Sequence, residues 1–177
     1  MSSRDIGPGS TMQEILQAYP SAKVGLFVRY HIGGCASCGY EPTDTLAEVC
    51  RKHNIADSLD AVLACIRQSE DVEAQLHISP TELALALKRG EQLLLLDVRP
   101  AEEWEAGHIP AAQRVTVELT FEALDSWPKD TPIVFFSNEG RRSLDKAAYF
   151  RAYGFTNARS LDGGMDAWLV ARLIPQS

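Results

Sequence analysis

Pro132–Ser143, PIVFFSNEGRRS, is an apolar run that stops abruptly in a small polar loop. Ile133–Phe136 carries only β-branched and aromatic residues, the pattern of a strand buried on both faces of a parallel sheet. After Gly140 the apolar spacing changes to that of a helix, with Leu144, Ala147 and Ala148 on one side and Phe150 flanking them. The loop Ser137-Asn138-Glu139-Gly140-Arg141-Arg142-Ser143 is therefore expected between a strand and a helix N-terminus. There the first helical N–H groups lack intrahelical partners and the helix dipole is positive, so the loop reads as an anion cradle flanked by two arginines.

Working outward, the C-terminal half alternates strand and helix signals. Ser79-Pro80-Thr81-Glu82 combines an N-cap, a proline at the first helical position and a capping-box glutamate ahead of Leu83, Leu85 and Leu87. Gln92–Val98 reads as a strand, Ala101–Glu105 and Phe121–Trp127 as short helices, and Arg141–Tyr153 as the helix after the cradle. Such alternation predicts a parallel α/β sheet with helices on both faces.

The N-terminal half is different. Four short amphipathic helices are predicted: one capped by Thr11, one over Ser21–Tyr30, one from about Thr45 and one from about Ser58. Between the second and third lies Gly34-Cys35-Ala36-Ser37-Cys38-Gly39. These helices make a small all-α domain over residues 1–72, the polar stretch Gln68–Gln75 reads as a linker or the frayed end of the fourth helix, and the α/β domain occupies 77–177.

Composition bounds what the chain binds. In 177 residues, 45% are hydrophobic and the formal net charge is −7, which disfavours nucleic acid and anionic membranes as general partners. No apolar run approaches the ~18 residues of a membrane helix, and MSSRDIGPGS lacks the apolar core of a signal peptide, so a cytoplasmic protein is expected. In a reducing compartment the four cysteines, Cys35, Cys38, Cys50 and Cys65, are expected as thiols or metal ligands rather than structural disulfides. The Cys35/Cys38 spacing suits a dithiol pair or half of a zinc or iron–sulfur site, while Cys50 falls on the apolar stripe of its helix. His31, His53 and His108 read as packing or backbone-bonding residues, and Asp97 with Arg99 as a structural salt bridge or loop support.

Three motifs in the second half resemble the rhodanese family. Asp97-Val98-Arg99-Pro100-Ala101-Glu102-Glu103-Trp104 with Gly107-His108-Ile109-Pro110 is similar to its first motif, and Leu161-Asp162-Gly163-Gly164-Met165-Asp166-Ala167-Trp168 to its last. The loop 137–143 resembles its active-site loop, Cys-x-x-Gly-x-Arg-Ser, at every fixed position but the first, where Ser137 stands. The resemblance implies a rhodanese-like fold, a sulfurtransferase or sulfur-relay role, thiosulfate or a similar sulfur-containing anion as ligand, and a sulfur-acceptor protein as partner. It also gives position 137 the nucleophile's role and Arg142 that of orienting the loop and neutralising the bound anion. A serine is far less acidic than a thiol and carries no stable sulfane sulfur, so the sequence as it stands implies an inactive form. Two readings follow: a sulfurtransferase whose persulfide chemistry needs cysteine at 137, or a non-enzymatic module that binds an anion or a protein beside a metal, iron–sulfur or redox domain. Phosphatase-type chemistry would need the cysteine too, and the loop has the shorter sulfurtransferase length. The first half resembles the small helical Cys-x-x-Cys domain found beside hybrid-cluster proteins, and such a small bundle is also a candidate homodimer.

Overall fold

The computed structural model describes residues 5–33 and 39–173 of the chain, which divides into two compact units, 1–75 and 76–177. Cys35 and Cys38 lie outside the described residues, and with them the predicted thiol or metal site.

The first unit is helical: α1 (Met12–Ala18), α2 (Ala22–Tyr30), α3 (Leu46–Lys52), α4 (Leu59–Arg67) and α5 (Ser69–Ala74). Two capping boxes start α1 and α3, Thr11 with Glu14 and Thr45 with Glu48. The two N-termini also bond each other, since Met12 N–H donates to Asp44 O at 2.8 Å and Leu46 N–H to Ser10 O at 3.0 Å. Their apolar faces meet Leu26, Ile32, Val62, Leu63 and Ile66 in one core. The stretch Gln68–Gln75 is not a loose linker. It folds into α5, because Ser69 is buried against α2 at Gly25 and its hydroxyl donates to Ile66 O at 2.6 Å. Small side chains at the contact let the two helices approach closely, and helical spacing alone did not register that.

The second unit holds β1 (His77–Ile78), α6 (Pro80–Lys88), β2 (Leu94–Asp97), α7 (Ala101–Ala106), β3 (Gln113–Arg114), α8 (Val117–Ser126), β4 (Ile133–Phe136), α9 (Arg141–Ala152), β5 (Ala158–Leu161) and α10 (Gly164–Leu173). The five strands form one all-parallel sheet in the order β1-β5-β4-β2-β3. All four residues of β4 are buried, as expected of a strand with a neighbour on each side. Alternation along it divides the core. Val134 and Phe136 face Leu83 of α6 and Met165 and Trp168 of α10, whereas Phe135 packs against Phe150 of α9 in a tilted pair with ring centroids 4.9 Å apart, and Phe150 in turn against Phe155 at 4.9 Å. Helices thus cover both faces, and the site-bearing strand is clamped between them. No helix among the described residues is long and apolar enough to cross a membrane.

Sequence reading placed the start of α8 at Phe121, but the helix begins four residues earlier, at Val117, because Thr116 caps it by accepting the N–H of Leu119. Strands β1 and β3, only two residues each, and the polar-containing β5, ARSL, carried too little apolar pattern to be read.

Because Phe150 is fully buried between two other rings, Phe150→Ala should cost about 3–5 kcal/mol. The check is urea unfolding followed by near-UV circular dichroism; a loss under 1 kcal/mol would remove the aromatic cluster from the core's energetics.

Candidate functional site: a loop held between a strand end and two helix ends

β4 delivers Ser137 to the carboxyl edge of the sheet, where its residue is 2% exposed. The chain then turns through Asn138 and Glu139 to Gly140, whose φ of 91° opens α9 from the left-handed region. A side chain at Gly140 would also stand 3.2 Å from Leu161 O.

The loop's orientation comes from α10. The N–H of Met165 donates to Ser137 O at 2.8 Å and that of Asp166 to Asn138 O at 3.2 Å. In a trans peptide the N–H points opposite to the C=O. With both carbonyls turned toward α10, the N–H groups of Asn138 and Glu139 point away from that helix. Gly164 makes this possible. Its φ is 58°, and a Cβ there would lie 2.1 Å from Ser137 O and 2.4 Å from Asn138 O.

Inside the loop three hydroxyls form a chain. Ser160 Oγ donates to Ser143 Oγ at 2.8 Å, and Ser143 Oγ to Gly140 O at 3.0 Å. Ser143 has then used its only proton, so Ser137, 3.3 Å away, is the donor of the remaining contact. Ser137 Oγ also accepts the N–H of Gly140 at 3.1 Å. The atom at the nucleophile's place is therefore held by a backbone N–H that would favour negative charge on it.

The outer support is a buried ion pair. Asp97, at the end of β2, is fully buried, and Arg99 is 7% exposed; the guanidinium reaches both carboxylate oxygens at 2.7–3.0 Å. The same guanidinium donates to Gly107 O at 2.8 Å and to Asn138 Oδ1 at 3.4 Å, tying β2, the end of α7 and the loop together. His108 is a structural residue too, stacked on Trp104 with centroids 3.7 Å apart.

The structure brings buried Ser137 and Ser143 together with half-buried Asn138 and Gly140, and leaves Glu139 and Arg141 exposed. Arg142 has a half-exposed side chain that donates to Glu103 of α7 at 3.4 Å, while Arg99 and the start of α10 bond the loop directly. Glu103, not singled out from sequence, also accepts Asn138 Nδ2 at 2.7 Å and so stands at the loop's rim as a resident carboxylate. Its only sequence signal was its place in the motif before Trp104. Cys50 and Cys65 are free thiols whose pKa burial pushes up. His53 bonds Gly39 O, and among the described residues no group of three or more His, Cys, Asp or Glu side chains forms a metal site.

A parallel sheet with an anion-type loop leaving the end of its central strand defines the class. Residues 79–171 match the model of the rhodanese-like domain, and the chain belongs to that family. Over 93 residues it is 38% identical to a probable adenylyltransferase/sulfurtransferase, MoeZ, of Mycobacterium tuberculosis, covering 51% of this chain and 24% of that one. Over 89 residues it is 32% identical to the thiosulfate sulfurtransferase GlpE of Pseudomonas putida, covering 50% of this chain and 81% of the relative. The chain thus spans about a quarter of the mycobacterial protein's length. A solved Rhodopseudomonas palustris protein, described as of unknown function and a possible tyrosine phosphatase, superposes with a TM-score of 0.52 at 20% identity, covering 69% of this chain and 96% of that one; this likeness speaks to the fold.

Gly164→Ala should disturb the loop directly, since a left-handed alanine costs about 1–2 kcal/mol before any overlap is counted. We expect a lower melting temperature and faster amide hydrogen exchange at Met165 and Asp166. Unchanged exchange there would mean that α10 does not hold the loop.

Proposed function

We propose that the C-terminal unit is a rhodanese-type sulfurtransferase module that, with Ser137 in the nucleophile's place, holds a small sulfur oxyanion such as thiosulfate without turning it over. The observation that carries this reading is the seat of Ser137 Oγ, buried at the strand end and hydrogen-bonded by Gly140 N–H at 3.1 Å. A cysteine sulfur in that seat would lie among the same N–H groups, which lower a thiol's pKa. Its thiolate would attack the outer sulfur of thiosulfate. A sulfur–sulfur bond forms, sulfite leaves with the electron pair of the broken bond, and the persulfide then passes its outer sulfur to an acceptor nucleophile. An alcohol at ordinary pH supplies almost no alkoxide for the first attack, so the serine form stops at binding.

The names of the relatives support the sulfur chemistry, and a sulfur-relay setting with an acceptor protein fits the same fold. Cys35 and Cys38, outside the described residues, are the chain's own candidate acceptors or metal ligands, in keeping with a relay or with a zinc or iron–sulfur role for the first unit. The reading of this chain as a non-catalytic anion-binding module beside such a domain is favoured by one residue, Ser137.

The chain as it stands should show no thiosulfate:cyanide sulfurtransferase activity, and Ser137→Cys should turn over. Alkylation of that variant should follow a thiol pKa below the ordinary ~8.5. Comparable turnover by the serine form, or a cysteine that titrates normally and stays inactive, would overturn the proposal.

Arg142 and Glu103 should move anion affinity in opposite directions. Arg142→Ala removes a half-exposed cation, and roughly threefold to tenfold weaker sulfate binding is expected. Glu103→Gln keeps an acceptor for Asn138 but removes the carboxylate held by Arg142, so sulfate should bind more tightly. Isothermal titration decides; the same sign for both variants would contradict this arrangement.

A further inference from the structure

Beyond the loop, one face of α9 runs along a cleft of about 470 Å³. Its apolar wall is Val98, Val115 and Val117, its helical wall carries Arg142 and Lys146, and Tyr149 closes the far end of that helical face. The two cations differ in what they have left to offer. Arg142 is engaged with Glu103, whereas the half-buried Lys146 donates to Thr120 Oγ1 at 3.0 Å and lies over the rings of Tyr149 and Phe150.

An ammonium has three donors, and among the described residues no carboxylate lies within ion-pairing distance of this one. Burial alone pushes its pKa down. The acidic residue of the cleft, Asp145, is exposed, so water screens its charge more than that of Lys146. Val117 and Phe121, one turn apart on α8, are each 66% exposed, extending apolar surface outward from the valine wall.

We propose that this cleft is a binding site for a monocarboxylate with a linear aliphatic stem, the carboxylate on Lys146 and the stem along Val98, Val115 and Val117. One cation with no carboxylate within ion-pairing distance among the described residues favours a single negative charge over a dianion. The valine wall favours an aliphatic stem over a bare anion, and the cleft volume is within the size range of small-molecule sites. The site uses no atom of Ser137, so it does not depend on the sulfur chemistry proposed for the loop.

The test titrates the full chain, labelled for amide NMR, with octanoate, hexanoate, 1-octanol and sulfate. Octanoate should shift the amides of residues 115–120 and 146–149. Hexanoate should bind about tenfold more weakly, at threefold to fourfold per methylene. Lys146→Met, which keeps the apolar stem of the side chain, should weaken octanoate by about tenfold and leave octanol unchanged, while Lys146→Arg retains octanoate binding. The amide spectrum of each variant reports whether it is folded, and Lys146→Arg carries the test if Lys146→Met is not. Equal binding of octanol and octanoate, equal shifts of these amides by sulfate, or loss of octanoate in a folded Lys146→Arg would overturn the proposal.

Discussion

Two hydrogen bonds, from the N–H groups of Met165 and Asp166 to the carbonyls of Ser137 and Asn138, determine which way the peptide planes of the loop face. Peptide planarity couples each carbonyl to the N–H behind it, so fixing two acceptors on one side aims two donors on the other. The direction in which the loop offers its N–H donors rests on that coupling. It also explains why Gly164 sits where it does: any side chain would occupy the space of the two carbonyls being bonded.

The support beneath this arrangement is ionic and buried. Asp97 and Arg99 are both buried, and a pair of that kind contributes little net stability compared with apolar replacements. Removing one partner is another matter, since the survivor is left charged and unpaired, at a cost of about 3–5 kcal/mol. The pair earns its place by geometry: one guanidinium satisfies Asp97, the carbonyl of Gly107 and Asn138 at once. A flexible lysine ammonium, without the planar fork, would not hold these three acceptors in fixed relative positions.

Much of this was legible in the chain. The abrupt change from Ile133–Phe136 to a glycine-containing polar loop placed β4 and the start of α9 at their observed residues, because strand and helix periods differ so sharply there. The Thr11 cap and the Ser79–Glu82 capping box located α1 and α6 for the same local reason. What escaped was set by contacts distant in sequence. Glu103 meets the loop across 35 residues, and Ser160 meets Ser143 across 17, neither with a periodic signature. α5 looked like a linker because its burial depends on one serine fitting against one glycine of α2. Arg99, read from sequence as a salt-bridge or loop-support residue, reaches Asn138 Oδ1 across 39 residues, a contact with no local signature.

The order of strands in the sheet bears on how the unit assembles. β5 separates β1 from β4, with His77 opposite Ser160, so the first strand of the unit has no neighbour until the last one has formed. Such pairing across most of the unit's length is a high-contact-order event and makes for slow folding. The loop's orientation waits on the same step, because α10 follows β5 directly. During synthesis the strand bearing Ser137 leaves the ribosome well before the helix that turns its carbonyls. The nascent chain thus passes through a stage with the loop complete in sequence and its peptide planes not yet turned by α10.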